Sequence, residues 1–250
     1  MYDRLFIGNK LIELKEIDST NAYMKQFISS NNNEIEGLVV ITRHQLKGRG
    51  QKGNVWESKK GMNLTFSIFL KSNTLLQNQF LISKVISLGI IDFLDELGLK
   101  ELKIKWPNDI YCGNKKIAGI LIENTLKKNV VRSSVVGIGL NVNQTSFHSK
   151  NEPTSIIKEL GGNFLNLDQT LNQLLFFIEK RYIILKTGNE ALINEDYLQH
   201  LYWINESRNF KIKEKVVSGR IIGVNSMGKL QIMVNKKTEE FDLKEIEFLI

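Results

Sequence analysis

The stretch GRGQKGNVW, Gly48 to Trp56, contains three glycines in the G-x-G-x-x-G spacing of a dinucleotide-binding turn. That turn also requires a strand before it, a helix after it, and an acidic residue further along the chain. The preceding GLVVITRH predicts a strand, but the following MNLTFSIFL alternates apolar with polar residues and predicts a second strand. A connection between two strands has no helix N-terminus to hold a pyrophosphate. The pattern therefore argues against a dinucleotide-binding fold, and an anion bound here would meet backbone amides and the cations Arg49 and Lys52.

The composition is that of a globular protein. The chain has 250 residues, 42% of them hydrophobic, and its three Trp and 13 Phe residues are enough for a large core. One cysteine excludes an internal disulfide bond, and no apolar run approaches the length of a membrane span. The first residues, MYDRLFIGNKLIELKEID, lack the apolar core of a signal peptide. We therefore expect a cytoplasmic protein without a membrane partner.

The positive charge does not single out a nucleic-acid partner. The formal net charge is +7, but the lysines are spread along the chain, which is typical of a solvated surface. A nucleic-acid-binding module would also need aromatic residues among the basic ones, and the segment from Phe210 to Val234 contains one. Such a module is the rival interpretation from outside the enzymes.

The secondary-structure pattern predicts an α+β protein. A helix is expected in DSTNAYMKQFISS, capped by Asp18 or Ser19, and a buried helix from Leu75 to Leu97, closed by Gly98. Strands are expected in KLIELKEI, ELKIKW and VVRSSVVGIGLNV, and a hairpin in DIYCGNKKIAGILIENT. Further helices are expected in PTSIIKEL and within residues 167–200.

The pattern of apolar and polar residues changes near the C-terminal end of the sequence. From about Asn205, short alternating runs follow one another as FKIKEKVV, GRIIGVN, KLQIMVN and TEEFDLKEIEFL. Runs of this kind predict a small β-barrel or sandwich with a core of its own. The expected domains are residues 1–204 and residues 205–250.

The segment KIKWPNDIY carries candidate chemistry at a strand end, where the ring of Pro107 interrupts regular pairing. A turn with Asn and Asp is common in itself, because both residues stabilise turns. Here Lys105, Asn108 and Asp109 stand together in a chain that also has a basic glycine loop. The lysine can meet phosphate and the carboxylate can hold magnesium through water.

Two further strands contain glycines where a side chain would be expected. KKIAGILIE places Lys116 at a strand start, followed by Gly119, and GIGLNV carries Gly137 and Gly139 before Asn141. Glycine weakens a strand, so its presence suggests a close approach to the backbone. A lone lysine at a strand edge also protects against aggregation, which is the ordinary explanation for such a residue.

The cysteine and the histidines receive no role. Cys112 lies in the expected hairpin, and a lone cysteine there is usually a small packed residue. His44, His148 and His200 lack the spacing of metal ligands.

Taken in order, these segments resemble the biotin protein ligases, also called biotin–acetyl-CoA-carboxylase ligases. The motifs are IDSTN, GRGxxGxxW, KWPND, KxAGILxE and GxGxNV, found here at Ile17–Asn21, Gly48–Trp56, Lys105–Asp109, Lys116–Glu123 and Gly137–Val142. Each motif alone is weak, but together they follow family order and spacing. The resemblance implies a mixed central sheet flanked by helices, of the type shared by class II aminoacyl-tRNA synthetases and biotin synthetases. It also implies a small SH3-like C-terminal domain.

The resemblance implies a two-step reaction. Members join the biotin carboxylate to the α-phosphate of ATP and release pyrophosphate. They then pass biotin from biotinyl-5′-AMP to one lysine of a biotin carboxyl carrier protein domain. ATP and biotin would be substrates and Mg²⁺ an activator, with no tightly bound prosthetic group. Because both substrates are anionic, the site must supply cations where negative charges meet.

Roles for single residues follow from the resemblance by position. Arg49 and Lys116 match the catalytic cations, and Lys116 would bridge the biotin carboxylate and the α-phosphate. The positions that match biotin contacts are Ser19, Thr20, Asn21, Gln45, Gly48, Arg49, Gly50, Lys116, Gly119, Gly137 and Gly139. Those that match ATP or adenylate contacts are Arg49, Gln51, Trp56, Lys105, Asn108, Lys116 and Asn141, with Trp56 over the adenine. Asp109 matches the magnesium side.

Two departures from the family pattern affect the expected partners and ligands. Some members begin with a helix-turn-helix domain, whereas IDSTN begins here at Ile17, so we expect no specific DNA binding. Many members carry arginine where this chain has Gln51, which predicts weaker retention of the adenylate. Whether two chains pair as a homodimer is left open.

Lipoate and octanoate protein ligases are the rival interpretation among the enzymes. They share the fold and the adenylation step, but lipoate ligases would show a glycine segment of R-x-S-G-G-G type in place of GRGQKG.

Overall fold

The computed structural model describes residues 2–31, 34–53, 55–148 and 153–249, in which it places two β-sheets and five α-helices. The larger sheet contains β1 (Leu11–Leu14), β2 (Val39–Thr42), β3 (Leu64–Leu70), β4 (Thr74–Leu75), β5 (Leu102–Lys105), β6 (Asp109–Cys112), β7 (Lys115–Lys127) and β8 (Val130–Leu140). The order is β1-β2-β3-β8-β7-β6-β5, and β4 pairs with β8 off this path. The β1–β2 pair is parallel and the other pairs are antiparallel, so the sheet is mixed, as the sequence predicts.

Helices cover both faces of this sheet. They are α1 (Thr20–Asn31), α2 (Phe80–Glu96), α3 (Ile156–Leu160), α4 (Leu167–Lys186) and α5 (Glu190–His200). α1 packs on β2, β3 and β8, while α2 packs on β5, β6 and β7 and against α4. All seven residues of β3 are buried, including its polar ones, although apolar and polar residues alternate in its sequence. The reason is that β3 lies at the centre of the fold, between two layers.

The start of α1 agrees with the expected cap. The Ala22 amide donates to Ser19 Oγ at 3.4 Å, so Ser19 occupies the capping position. Asp18 instead forms an exposed ion pair with Lys47, at 2.7 Å between Nζ and Oδ2. This cap fixes the loop before α1, which carries part of the IDSTN motif.

The predicted helix from Leu75 to Leu97 begins later than expected. Leu75 belongs to β4 and pairs with Val130, a short 3₁₀ turn covers residues 76–78, and α2 starts at Phe80. Helical spacing of apolar residues is also satisfied by a short strand that leads into a helix, which explains the error. The expected end is confirmed, because Gly98 follows α2 with φ of +92°.

The C-terminal strands form a separate antiparallel sheet in the order β12-β11-β10-β9-β13. They are β9 (Ser207–Ile212), β10 (Lys215–Val224), β11 (Leu230–Val234), β12 (Lys237–Phe241) and β13 (Ile246–Phe248). The prediction of one run through FKIKEKVV is wrong, because Lys213 and Glu214 form a tight turn with φ of +45° and +65°. Alternating residues continue across this turn, which hides it in the sequence.

The two sheets share a hydrophobic core. One cluster of buried residues runs from Ile7 in the first part of the chain to Ile246 in the last. Trp203 connects them, with its ring 6.1 Å from that of Phe210 and 5.5 Å from that of Phe248. The Trp106 indole also donates to the Gly228 carbonyl at 2.8 Å. The C-terminal strands thus form a sheet of their own, but their buried side chains belong to the same core as those of the larger sheet. The alternating runs of the sequence had led us to expect a separate core.

Candidate active site

A cavity of about 810 Å³ lies on the face of the large sheet, beside α1 and below the GRGQKG loop. Its floor consists of two neighbouring rows of residues that cross the sheet. One row is Thr65, Gly139, Gly119 and Asp109, and the next is Ser67, Gly137 and Leu121. Residues two apart in a strand face the same side, so both rows point to the cavity side of the sheet, where Thr20 and Asn21 cover Ser67. Glycines on the central strands β7 and β8 make the floor concave.

The two β8 glycines in this floor are in close contact with the side chains of Asn21 and Trp56. A Cβ atom at Gly137 would lie 2.5 Å from Asn21 Oδ1. A Cβ atom at Gly139 would overlap the indole ring of Trp56. The glycines thus allow a close approach, as predicted, and in this structure the group that lies on Gly139 is the protein's own Trp56.

Buried hydrogen-bonding groups stand at one end of the cavity, where Thr20 and Asn21 line it and Ser67 lies behind them. Thr20, Asn21 and Ser67 are 3%, 4% and 0% exposed. Ser67 Oγ lies 2.6 Å from Asn21 Oδ1 and 2.8 Å from Thr20 Oγ1. The Thr20 backbone amide donates to Gln45 Oε1 at 3.0 Å. This end can pair with a neutral ligand group that contains both N–H and C=O.

The other end of the cavity carries positive charge. Lys116 Nζ lies 2.7 Å from Asp109 Oδ1, and the side chains are 28% and 24% exposed. Lys105 Nζ donates to Tyr111 Oη at 3.3 Å and lies 5.2 Å from the centre of the Phe248 ring. Burial lowers the pKa of Lys105, an effect that Asp109 opposes and that Lys116 adds to. A bound anion here would stabilise the protonated form of Lys105 and so raise its pKa again.

The glycine loop forms the rim. It begins after Gly48, whose carbonyl accepts from the Trp56 amide at 3.1 Å, and a 3₁₀ turn covers Gln51–Gly53. Arg49 is exposed on this rim. Gln51 Oε1 is buried and has no hydrogen-bond partner among the described residues. The loop therefore presents polar groups toward the cavity without a helix behind them, as the opening stretch of the sequence indicated.

Most of the predicted site residues meet in this one cavity. Those that line it are Ser19, Thr20, Asn21, Gln45, Arg49, Gly50, Gln51, Trp56, Lys105, Asn108, Asp109, Lys116, Gly119, Gly137 and Gly139. Gly48 and Asn141 do not line it. Asn141 is 2% exposed, and its Nδ2 donates to the Thr154 carbonyl at 2.9 Å, so its amide holds the chain that follows β8. The assigned roles in binding and catalysis remain predictions.

Several residues in or beside the site were not predicted from the sequence. Ser67 lies in a strand that its apolar neighbours define, and Tyr111 follows the KWPND motif. Ile246, Glu247 and Phe248 line the cavity from the C-terminal sheet. For Ser67 the register with Gly137 is the signal that could have found it, whereas for the C-terminal residues only the tertiary fold identifies them.

The other candidate groups stay outside the chemistry. Burial raises the pKa of Cys112 to about 11, and its thiol donates to the Lys100 carbonyl at 3.2 Å. The described residues contain no group of three or more His, Cys, Asp and Glu side chains that would hold a metal ion. In the same residues, no helix combines the length and apolar character needed to cross a membrane.

Known proteins are similar to this chain over the part that contains these motifs. The Biotin/lipoate A/B protein ligase family matches residues 13–141. The bifunctional ligase/repressor BirA of Bacillus subtilis is 27% identical over 244 residues, which cover 96% of this chain and 74% of that protein. The biotin–[acetyl-CoA-carboxylase] ligase of Mycobacterium tuberculosis is 30% identical over 179 residues, which cover 70% and 64%.

A solved structure has the same fold. The biotin protein ligase from Aquifex aeolicus, determined in complex with biotin and ATP, aligns with a TM-score of 0.77 and 27% identity. The alignment covers 96% of this chain and 98% of that one, which confirms the predicted mixed sheet flanked by helices, followed by a small β-rich C-terminal part. Because the family match extends over more than half of the sequence and contains most of the residues that line the cavity, this chain belongs to the biotin/lipoate A/B protein ligase family.

Proposed function

We propose that this ligase activates biotin with ATP as biotinyl-5′-AMP, releases pyrophosphate, and transfers biotin to a lysine of a biotin carboxyl carrier protein domain. One observation carries the proposal: the two ends of a single cavity have different chemistry. Neutral hydrogen-bonding groups surround Thr20 at one end, and Lys105 and Lys116 lie at the other. A ligand with a neutral polar head and a carboxylate tail fits both ends.

The neutral end favours biotin over lipoate or octanoate. The ureido ring of biotin offers N–H and C=O groups to the hydroxyl of Thr20 and to the amide of Gln45, which both line the cavity. A dithiolane ring or an alkyl chain would leave these buried groups unpaired, at a cost of about 1–3 kcal/mol for each. The lack of an R-x-S-G-G-G segment supports the same choice.

The charged end suits adenylation. A carboxylate and a triphosphate repel each other, so their approach needs cations that are already in place. Lys116 extends over the floor, with its Nζ 3.3 Å from where a Cβ at Gly119 would lie. From there it would bridge the biotin carboxylate and the α-phosphate, and Arg49 on the rim would add a second positive charge. Trp56 would leave Gly139 and pack over the adenine.

The donor groups fit a magnesium ion that arrives with ATP. Mg²⁺ usually binds to one or two carboxylates together with substrate phosphates, and when bound it offsets negative charge on those phosphates. Asp109 would hold it, directly or through water, beside Asn108, whose Nδ2 donates to the Ile120 carbonyl at 2.6 Å. The absence of a larger acidic cluster in the described residues is consistent with this type of site.

The partner in the second step would be the carrier domain of a biotin-dependent carboxylase. The name of the Mycobacterium tuberculosis relative states that its acceptor belongs to acetyl-CoA carboxylase. We further propose that the protein acts in the cytoplasm and does not recognise a DNA sequence. The charge of +7 is spread over the chain rather than gathered on one element.

The proposal is tested by offering the purified protein ATP with biotin, lipoate or octanoate and following pyrophosphate release. Of these three acids, only biotin should stimulate pyrophosphate release. A carrier domain should then acquire labelled biotin, whereas a carrier in which the acceptor lysine is replaced by arginine should not. Stimulation by lipoate or octanoate instead of biotin would contradict the proposal, as would pyrophosphate release without transfer to any carrier lysine.

A further inference from the structure

A chain of hydrogen bonds runs from the surface to the neutral end of the cavity. It starts at Glu123, whose carboxylate lies 2.5 Å from Lys25 Nζ and 2.9 Å from Asn21 Nδ2. It continues from Asn21 Oδ1 to Ser67 Oγ at 2.6 Å and from there to Thr20 Oγ1 at 2.8 Å. Glu123 is the last residue of the KxAGILxE motif and received no role from the sequence.

The chemistry of these groups fixes the direction of each bond. A carboxylate and a backbone carbonyl only accept hydrogen bonds. Asn21 meets both, because its second contact is the Leu121 carbonyl at 3.2 Å. The side-chain atom of Asn21 on that side is therefore the amide nitrogen, and its oxygen must face Ser67.

The direction of the remaining bonds follows from the single proton of each hydroxyl. The Asn21 oxygen only accepts, so Ser67 donates its proton to it. Thr20 Oγ1 lies 2.8 Å from Ser67 Oγ and 3.4 Å from Gln45 Oε1, so its proton goes to the nearer oxygen, that of Ser67. This leaves the lone pairs of Thr20 Oγ1 as an acceptor for a ligand N–H. Gln45 is oriented separately, because its Oε1 accepts from the Thr20 amide at 3.0 Å and its NH₂ group is left to donate.

We propose that Glu123 is a positioning residue that sets which groups at the neutral end accept and which donate. This inference rests on the proposed function, because an N–H acceptor and an N–H donor side by side are what a ureido group requires. Glu123 does not line the cavity, and it acts through Asn21 and Ser67. A charged group keeps this direction more firmly than a neutral amide, because charge-assisted hydrogen bonds are the stronger ones.

The test compares Glu123→Gln with the parent. Glutamine has nearly the same shape, but its amide can donate to Asn21, so only the longer 3.2 Å bond to the Leu121 carbonyl still opposes a reversal of Asn21, Ser67 and Thr20. We expect KM for biotin in pyrophosphate release to rise at least tenfold, with kcat changed less than threefold. KM for ATP in the same reaction should change less than threefold, because ATP has no ureido group and the proposed function places it at the charged end of the cavity.

Two further variants make the result specific. Ser67→Ala interrupts the same chain of hydrogen bonds at its centre with a small change in volume. It should show the same rise in KM for biotin, and it provides the test if Glu123→Gln folds poorly. Lys25→Met removes the exposed ion-pair partner of Glu123 and leaves its carboxylate, so its KM for biotin should stay within threefold of the parent.

The outcomes separate this inference from the proposed function. The activity of the parent protein tests the proposed function. If the parent shows no biotin-dependent pyrophosphate release, both proposals are overturned. With an active parent, an unchanged KM for biotin in Glu123→Gln and Ser67→Ala would overturn only the positioning role. An equal rise in KM for biotin and KM for ATP would also overturn it, because general damage to the site would not be confined to the ligand with the ureido ring.

Discussion

Lys116 Nζ lies 2.7 Å from Asp109 Oδ1, and Asp109 pairs across the sheet with Gly119 at the centre of the cavity floor. The ion pair is about three-quarters buried, so neither group is fully solvated. Asp109 thereby holds the lysine over the floor before any substrate is present. Such placement means that little reorganisation is needed when two anionic substrates meet.

Replacing Lys116 with methionine should nearly abolish adenylation and preserve the fold. Loss of one preorganised charged donor costs about 3 kcal/mol of barrier, or roughly two orders of magnitude in rate. The measurement is biotin-dependent pyrophosphate release, with thermal melting to verify folding. Lys127→Met, at the exposed end of the same strand, is the matched control and should retain full activity. A Lys116→Met rate within a few-fold of the parent would refute the assigned role.

Gly139→Ala should weaken biotin binding. The added methyl group would project into the floor, where it already overlaps Trp56, while the strand backbone accepts alanine without strain. We expect at least a tenfold loss of affinity by calorimetry, about 1.4 kcal/mol. Gly223→Ala is the control, because its methyl group would meet the flexible end of Gln231 at 3.3 Å and Leu198 Cδ2 at an ordinary contact distance of 3.7 Å. Equal biotin affinity in Gly139→Ala and the parent would show that the ligand does not occupy this floor.

Deleting residues 205–250 should leave an unstable protein. Trp203 and Trp106 are 7% and 5% exposed, and both contact the C-terminal sheet, so the deletion would uncover them. Loss of the contacts of one large aromatic residue typically costs about 3–5 kcal/mol, a large part of the stability of a domain. Expression and thermal melting of residues 1–204 provide the measurement. A soluble fragment that melts as the full chain does would indicate two independent cores.

Lys84 should make stability depend on pH in the alkaline range. Burial lowers its pKa to about 8 from 10.5, and its Nζ donates to Asn194 Oδ1 at 2.7 Å. Between these two values the unfolded chain holds a proton that the folded chain has lost, so the free energy of unfolding rises with pH. Allowing for solvent screening, this rise is on the order of 2 kcal/mol.

Urea denaturation at pH 7 to 10.5 of the parent and Lys84→Met tests this expectation. The stability of the parent relative to Lys84→Met should increase with pH across that range. The same comparison with Lys127→Met, which replaces an exposed lysine, should be flat. A flat difference for Lys84→Met as well would mean that the buried lysine keeps its ordinary pKa.

Local signals in the sequence were enough for most of the fold. A cap at Asp18 or Ser19, the Gly98 helix end and strand β2 depend on neighbouring residues, and all three were predicted. The motifs meet in one cavity because they stand at the ends or on one face of adjacent strands. The start of α2 and the turn at Lys213–Glu214 were missed, because apolar spacing continues through both.

The missing parts of the site depend on contacts between distant segments. Phe248 reaches Lys105 only because the C-terminal sheet packs on the cavity, and no local pattern indicates that contact. Glu123 lies in a motif, but its contact with Asn21 exists only once β7 and α1 are adjacent. Asn141 does not line the cavity and its Nδ2 donates to the Thr154 carbonyl, so its predicted contact with the nucleotide stays a prediction.

Gln51→Arg should make the enzyme retain its biotinyl-adenylate longer. Gln51 lines the cavity, and its Oε1 is buried without a partner among the described residues, so the side chain is poorly satisfied as it stands. A guanidinium would give bidentate, charge-assisted bonds to the anionic adenylate, where an amide gives a neutral one. The difference is about 1–2 kcal/mol, or roughly a tenfold slower escape.

The experiment preloads the parent and Gln51→Arg with ATP and labelled biotin, removes free ligand, and follows loss of adenylate without a carrier. Gln26→Arg adds the same charge on the exposed side of α1 and should release the adenylate at the parent rate. This control separates a local bond from a general increase in positive charge, which would slow escape in both variants. Because glutamine and arginine at position 51 differ in what they offer an anion, equal escape rates would mean that the loop holds the adenylate through other groups.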